Sequence, residues 1–177
     1  MNAIRKRYRE ILQYELYGNQ KKSLISKFRI KYITPHLNFI YLVRKMWLYY
    51  ELGGGWRKLS HILYLRIYKK YGCCIFPDAV VGKGLKVYHP VGLVIGHCVI
   101  GENCTILQGV TIGEKTLGEF SKKKVCPHIG NNVMISANST ILGNVEITDN
   151  IVIGANSLVT HDLKEQGVYV GNPVHLL

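Results

Sequence analysis

The side chains of this chain best able to move a proton or attack near neutral pH are seven histidines and five cysteines. The thiols Cys73, Cys74, Cys98, Cys104 and Cys126 show no C-x-x-C spacing, and adjacent Cys73 and Cys74 cannot easily bridge each other. A zinc site would want a tighter cluster with histidine at ligand spacing, so no metal is expected. His36, His61 and His97 stand in no motif and are read as structural or exposed. Two others sit in short motifs: His89 in Val87-Tyr88-His89-Pro90-Val91-Gly92 and His128 in Cys126-Pro127-His128-Ile129-Gly130. Histidine suits the removal of a proton from an alcohol at neutral pH, so these two are the candidates for acid–base work. Lys122-Lys123-Lys124 lies between them, read as a solvated patch with contact to a ligand's phosphates as the alternative.

Both motifs fall inside a repeat. From Ile129 an aliphatic residue returns every six positions, at Ile135, Ile141, Ile147, Ile153 and Val159. Upstream the same spacing gives Val94, Ile100, Ile106 and Ile112, and before that Ile75, Val81 and Val87. One extra residue separates Val87 from Val94, and eleven separate the Ile112 hexad from Ile129. Gly often follows the aliphatic residue, and a small or medium apolar residue often sits four places after it. Neither a helical period nor simple strand alternation produces this; a parallel β-helix does. Each hexad is then a short strand plus a corner, with the aliphatic side chain inward and Gly or Asn at the tight corner. Cys98 and Cys104 become interior fillers.

Residues 1–72 differ. They hold sixteen Lys and Arg against three acids, a net of +13, while residues 73–177 carry a net of −1. Ten of the twelve Tyr and both Trp also lie in the first segment. Pro35 opens an apolar stretch to Leu52, Gly53–Gly55 breaks it, and Trp56–Tyr71 reads as a second helix ended by Gly72. The expected organisation is a basic, aromatic α-helical segment at 1–72 and a β-helix at 73–177, with an inserted loop near 114–128. Basic residues among aromatics suit an anionic partner, which gives peripheral contact with an anionic membrane as an expectation. No apolar run approaches the ~18 residues of a membrane span, and no secretory signal is expected, which favours a reduced, cytoplasmic setting.

The hexads, the interrupting loop and the two histidine motifs resemble the hexapeptide-repeat acyltransferases, most closely the serine acetyltransferase branch with its many sugar O-acetylating members. Ile141-Leu142-Gly143-Asn144, Ile153-Gly154-Ala155-Asn156-Ser157 and the closing Gly171-Asn172-Pro173 add to the match. The resemblance implies a left-handed parallel β-helix, acetyl-CoA as co-substrate, and a homotrimer with active sites between chains. It makes His89 the general base and His128 the second active-site histidine, with Tyr88 and Gly92 near the acceptor. It places coenzyme A along Ala137, Ala155, Thr160, His161 and His175, with Lys164 toward the phosphates.

Two departures bear on the acceptor. Where serine acetyltransferases have Asp before the first histidine and Arg before the second, this chain has Tyr88 and Pro127. The Asp that orients the base aligns with Cys74. A zwitterionic amino acid needs paired charges, so a neutral hydroxyl of a surface-polysaccharide sugar is the expected acceptor, with serine as the alternative. A γ-type carbonic anhydrase would need three histidine ligands, which the spacing of His89, His97 and His128 does not suggest. Nothing resembles a base-reading motif, so no nucleic-acid partner is expected.

Overall fold

The computed structural model describes residues 1–18, 20, 22–114 and 126–177. The basic run Lys122–Lys124 and most of the expected loop lie outside the described residues. Four helices come first: α1 (Asn2–Tyr17), α2 (Leu24–Phe28), α3 (Pro35–Leu52) and α4 (Trp56–Tyr71), with a π-helical turn over Arg29–Ile33. Pro35 sits in the first turn of α3, where its missing N–H costs nothing, and Gly72 ends α4 with a left-handed φ of 61°.

The rest winds into a three-sided prism of very short strands. The first face stacks β1 (Cys74–Ile75), β4 (Val94–Ile95), β7 (Thr111–Gly113), β10 (Thr140–Leu142) and β13 (Leu158–Val159). The second stacks β2 (Val80–Val81), β5 (Val99–Ile100), β8 (His128–Ile129) and β11 (Glu146–Ile147). The third stacks β3 (Lys86–Val87), β6 (Thr105–Ile106), β9 (Met134–Ile135), β12 (Ile151–Ile153), β14 (Gly167–Gly171) and β15 (Val174–Leu176). Pairing is parallel from coil to coil, and the last two strands close the stack as an antiparallel hairpin.

The hexad aliphatics fill the interior, with one correction. Val94 is 39% exposed, and its neighbour Ile95 takes the interior place at 1%. The corner after Val87 is therefore longer than the period implies, and the corner after Ile95 shorter. Asn103, Asn132 and Asn150 serve corners at φ of 56–61°, a conformation that Asn tolerates through its short polar side chain. Gly82 and Gly101 stack where a Cβ would come within 2.6 Å of the next coil's backbone, which explains glycine there. Cys98 and Cys104 are buried as fillers, and all five thiols are free.

The helices close the open end of the first coil. Arg44 of α3 is buried and donates to Glu15 of α1 through Nε (2.9 Å) and Nη2 (2.6 Å). The same guanidinium donates to Val81 O (2.8 Å) and Gly82 O (2.5 Å). Glu15 Oε1 accepts from the N–H groups of Gly84 and Leu85, both at 2.9 Å. Trp47 Nε1 donates to Phe76 O at 3.0 Å. Buried apolar residues from α1, α3 and α4 join those of the coils in one core.

Many of the basic residues pair with aromatics of the same segment: Arg5 lies over Trp56, Arg44 over Trp47, Arg57 over Tyr50, and Lys70 over Tyr71. The interleaving that pointed to an anionic partner thus has an internal use. Among the described residues no helix is long and apolar enough to cross a membrane.

Glu15→Gln leaves a buried guanidinium without its counter-charge. It is expected to cost about 3–5 kcal/mol of unfolding free energy, measured by urea titration. The core thiols give a second expectation. Burial pushes Cys98 up from the ordinary 9.0 to about 12. Between these values the unfolded chain releases a proton that the folded chain keeps, so this contribution is complete below pH 9.0 and lost toward about 12. The urea midpoint should fall as pH rises through that window, and less steeply in Cys98→Ala.

Candidate functional site

The strand register determines where the candidate residues stand. Val87 pairs with Ile106, Ile106 with Ile135, and Ile135 with Ile153. Two places after each, at the edge between the third and first faces, lie His89, Gln108, Ala137 and Ala155. Backbone bonds tie this edge from coil to coil: Gly109 N–H to Val91 O (3.0 Å), Asn138 N–H to Gln108 O (2.9 Å) and Asn156 N–H to Ala137 O (2.9 Å). Gly92 shares the His89 corner, at φ 67°. Gln108, Ala137 and Ala155 thus form one column that stands on Val91, and His89 lies in the longer corner leading to Val91 and Gly92.

The other candidates form a second column. His128 opens β8 on the second face, pairing with Val99 on one side and Glu146 on the other. The Glu146 N–H donates to Asp162 Oδ1 at 2.9 Å, which places Thr160 and His161 along the edge between the first and second faces; Lys164 follows Leu163, the partner of Ile147, and so begins the edge between the second and third faces. That hydrogen bond holds the Asp162 carboxyl below the usual carboxylate range. Lys164 pairs with Asp162 at 3.6 Å, an exposed contact. His175 stands apart on β15, paired with Val170 on the third face. One chain therefore does not bring His89 and His128 together; they occupy different edges, two coils apart.

Both histidines are exposed, as is Tyr88. Among the described residues the His89 ring has no hydrogen-bond partner; only its carbonyl is engaged, accepting from Val91 N–H at 2.8 Å. The His128 ring has Cys126 Sγ at 3.9 Å from Nε2. Cys74, aligned with the orienting Asp, is taken by α4: its sulfur lies 3.4 Å from the Tyr64 hydroxyl. That hydrogen bond, with burial, pushes Tyr64 up to about 12.

Two residues of this region were not singled out from the sequence. His36, read as structural, carries its ring to 6.4 Å from that of Tyr88. Its helical turn is held firmly: Asn38 Oδ1 accepts from Lys70 Nζ (2.7 Å) and lies 2.6 Å from the Tyr71 hydroxyl, itself 3.1 Å from Pro35 O. Gln108 is the second. Its Oε1 is buried and, among the described residues, without a hydrogen-bond partner, a state that costs about 1–3 kcal/mol. The equal place of Gln108 and Ala137, two residues after paired Ile106 and Ile135, was the available signal. The remaining bland histidine in the coils, His97, pairs with Asp78 at 2.5 Å. Among the described residues no group of three His, Cys, Asp or Glu could hold a metal ion.

Comparison with known proteins agrees with this architecture. Residues 126–161 match the bacterial transferase hexapeptide (six repeats) and residues 93–116 the hexapeptide repeat of succinyl-transferase. A soybean serine acetyltransferase apoenzyme superposes with a TM-score of 0.79 at 30% identity, covering 96% of this chain and 69% of that one. Soybean serine acetyltransferase complexed with serine gives a TM-score of 0.80 at 28% identity, covering 99% and 72%. The chain belongs to the hexapeptide-repeat acyltransferases. Within that family, a Staphylococcus epidermidis serine acetyltransferase is 47% identical over 107 residues, 60% of this chain and 49% of the relative. The chain spans about half the length of the curated relatives it matches.

These likenesses overturn the expected sugar acceptor and its polysaccharide pathway. Relatives at 45–47% identity bear the name serine acetyltransferase, although Tyr88 and Pro127 replace the charged residues. Two replaced residues, Tyr88 and Pro127, are outweighed by 47% identity over 107 residues.

Proposed function

We propose that this chain is a serine O-acetyltransferase using acetyl-CoA. The observation that carries the reading is the edge on which the column of Gln108, Ala137 and Ala155 rises from the His89 corner, in a fold that superposes on a soybean serine acetyltransferase at a TM-score of 0.79. In this reading coenzyme A lies along that edge, with its thioester end toward His89. The imidazole accepts the serine hydroxyl proton as the oxygen attacks the thioester carbonyl. Backbone N–H groups hold the developing oxyanion. Collapse breaks the carbon–sulfur bond, and the departing thiolate takes the proton from the imidazolium. O-acetylserine and free coenzyme A result.

The two-column arrangement favours a ring of three chains. Each would present its first–second edge, carrying His128, Thr160 and His161, to the third–first edge of a neighbour. Head-to-tail contacts of this kind close into a cyclic oligomer. His128 would then meet the acceptor held beside the neighbouring chain's His89, and Tyr88 with His36 would form the acceptor's other wall. His175 would border the outer part of the coenzyme path.

Thiol detection of released coenzyme A with L-serine, nucleotide sugars and simple glycosides as parallel acceptors tests the reading. Turnover with L-serine is expected; turnover confined to a sugar would overturn it. His89→Ala should lower kcat/KM by about 100- to 10,000-fold while sedimentation still reports three chains. Near-normal turnover in that variant would remove His89 as the base. Tyr88→Asp restores a carboxylate beside the base and is expected to lower the KM for L-serine by about tenfold or more. An unchanged KM would mean that position 88 does not face the ammonium group.

A further inference from the structure

Gln108 stands one coil beyond the corner that holds His89: the Gly109 N–H bonds to Val91 O on that side, and Asn138 N–H bonds to the Gln108 carbonyl on the Ala137 side. Its side-chain Oε1 is buried and, among the described residues, unpartnered. Native proteins seldom leave such an acceptor empty, and a bound ligand is one way of filling it. The ligand must bring an N–H to a point one coil from the base, on the side of the coils read as the coenzyme path.

The chemistry of acetyl-CoA supplies that donor. Its pantetheine arm carries an amide nitrogen four bonds from the acyl carbon, beyond the sulfur and two methylenes. Neighbouring coils are about 4.8 Å apart, a span of the same order as those four bonds. With the acyl carbon beside His89, the amide N–H falls at the level of Gln108. We propose that Gln108 Oε1 accepts a hydrogen bond from the pantetheine amide nearest the thioester, and so sets how far along the edge the acetyl group advances toward His89. This rests on the acetyl-CoA reading above but not on the identity of the acceptor.

The test compares wild type with Gln108→Met, which keeps length but removes the acceptor, and Gln108→Glu, whose carboxylate still accepts. The donors are acetyl-CoA, S-acetyl-N-acetylcysteamine, and the analogue in which an ester oxygen replaces the amide N–H. Gln108→Met should raise the KM for acetyl-CoA about two- to tenfold with the KM for L-serine unchanged, and Gln108→Glu should stay near wild type. With the ester donor, wild type and Gln108→Met should not differ. An equal penalty on amide and ester donors, or no penalty on acetyl-CoA, would overturn the assignment.

If Gln108→Met does not fold, Gln108→Asn decides the matter. It draws the carboxamide back by one methylene, and its penalty must likewise vanish with the ester donor. If serine is inert and another hydroxyl acceptor is used, the serine reading falls while the donor comparison is run with that acceptor. Failure of the wild type to bind acetyl-CoA in calorimetry removes both.

Discussion

The buried pair of Arg44 and Glu15 is the constraint on which the rest of the molecule depends. A β-helix needs neighbours for every coil, and its first coil has none before it. Backbone groups there would face outward unpaired, an open edge that invites association. Arg44 meets the carbonyls of Val81 and Gly82, Trp47 meets that of Phe76, and Glu15 meets the N–H groups of Gly84 and Leu85. Two helices thus act as a substitute coil. The charges are tolerable only because each satisfies the other and the backbone at once; removing either strands its partner in the core.

That closure also fixes the chemistry. The corner with His89 belongs to the same first coil, and α3 carries His36 to the ring of Tyr88 one residue away. The hydrogen bonds joining Asn38 to Lys70 and Tyr71 hold the first turn of α3 against the end of α4, which leads directly into β1. The helical segment is therefore coupled to one wall of the candidate site through a short chain of polar contacts.

Much of this was legible in the residues. The six-residue return of aliphatic side chains carries the β-helix because six positions complete one side of the prism, whatever the strand propensities of two-residue strands. The period misplaced the interior side chain at Val94, since a corner can gain a residue and the next can lose one without disturbing the stack. Gln108, Ala137 and Ala155 stand at equal places in that period, two after Ile106, Ile135 and Ile153. The hydrogen-bond state of Gln108, the approach of His36 to Tyr88 and the capture of Cys74 by Tyr64 did not follow from it, because each depends on packing between segments distant in sequence. The acceptor was not legible in Tyr88 and Pro127 either, because two positions do not define a pocket that other side chains also shape.

The three edges of the prism are not equivalent in what they permit. Between the second and third faces, Gly82, Gly101 and Gly130 lie so close to the following coil that even a methyl group would collide with backbone or with Asp149. Between the third and first faces the corner after Val87 takes two residues more than the corner after Ile106 in the next coil. Between the first and second faces fourteen residues of sequence separate Gly113 from His128, against three between Ile95 and Val99. Inheritance of such a fold is consequently lopsided: lengthening and shortening can accumulate along two edges, while the glycine-lined one must pass between generations almost residue for residue.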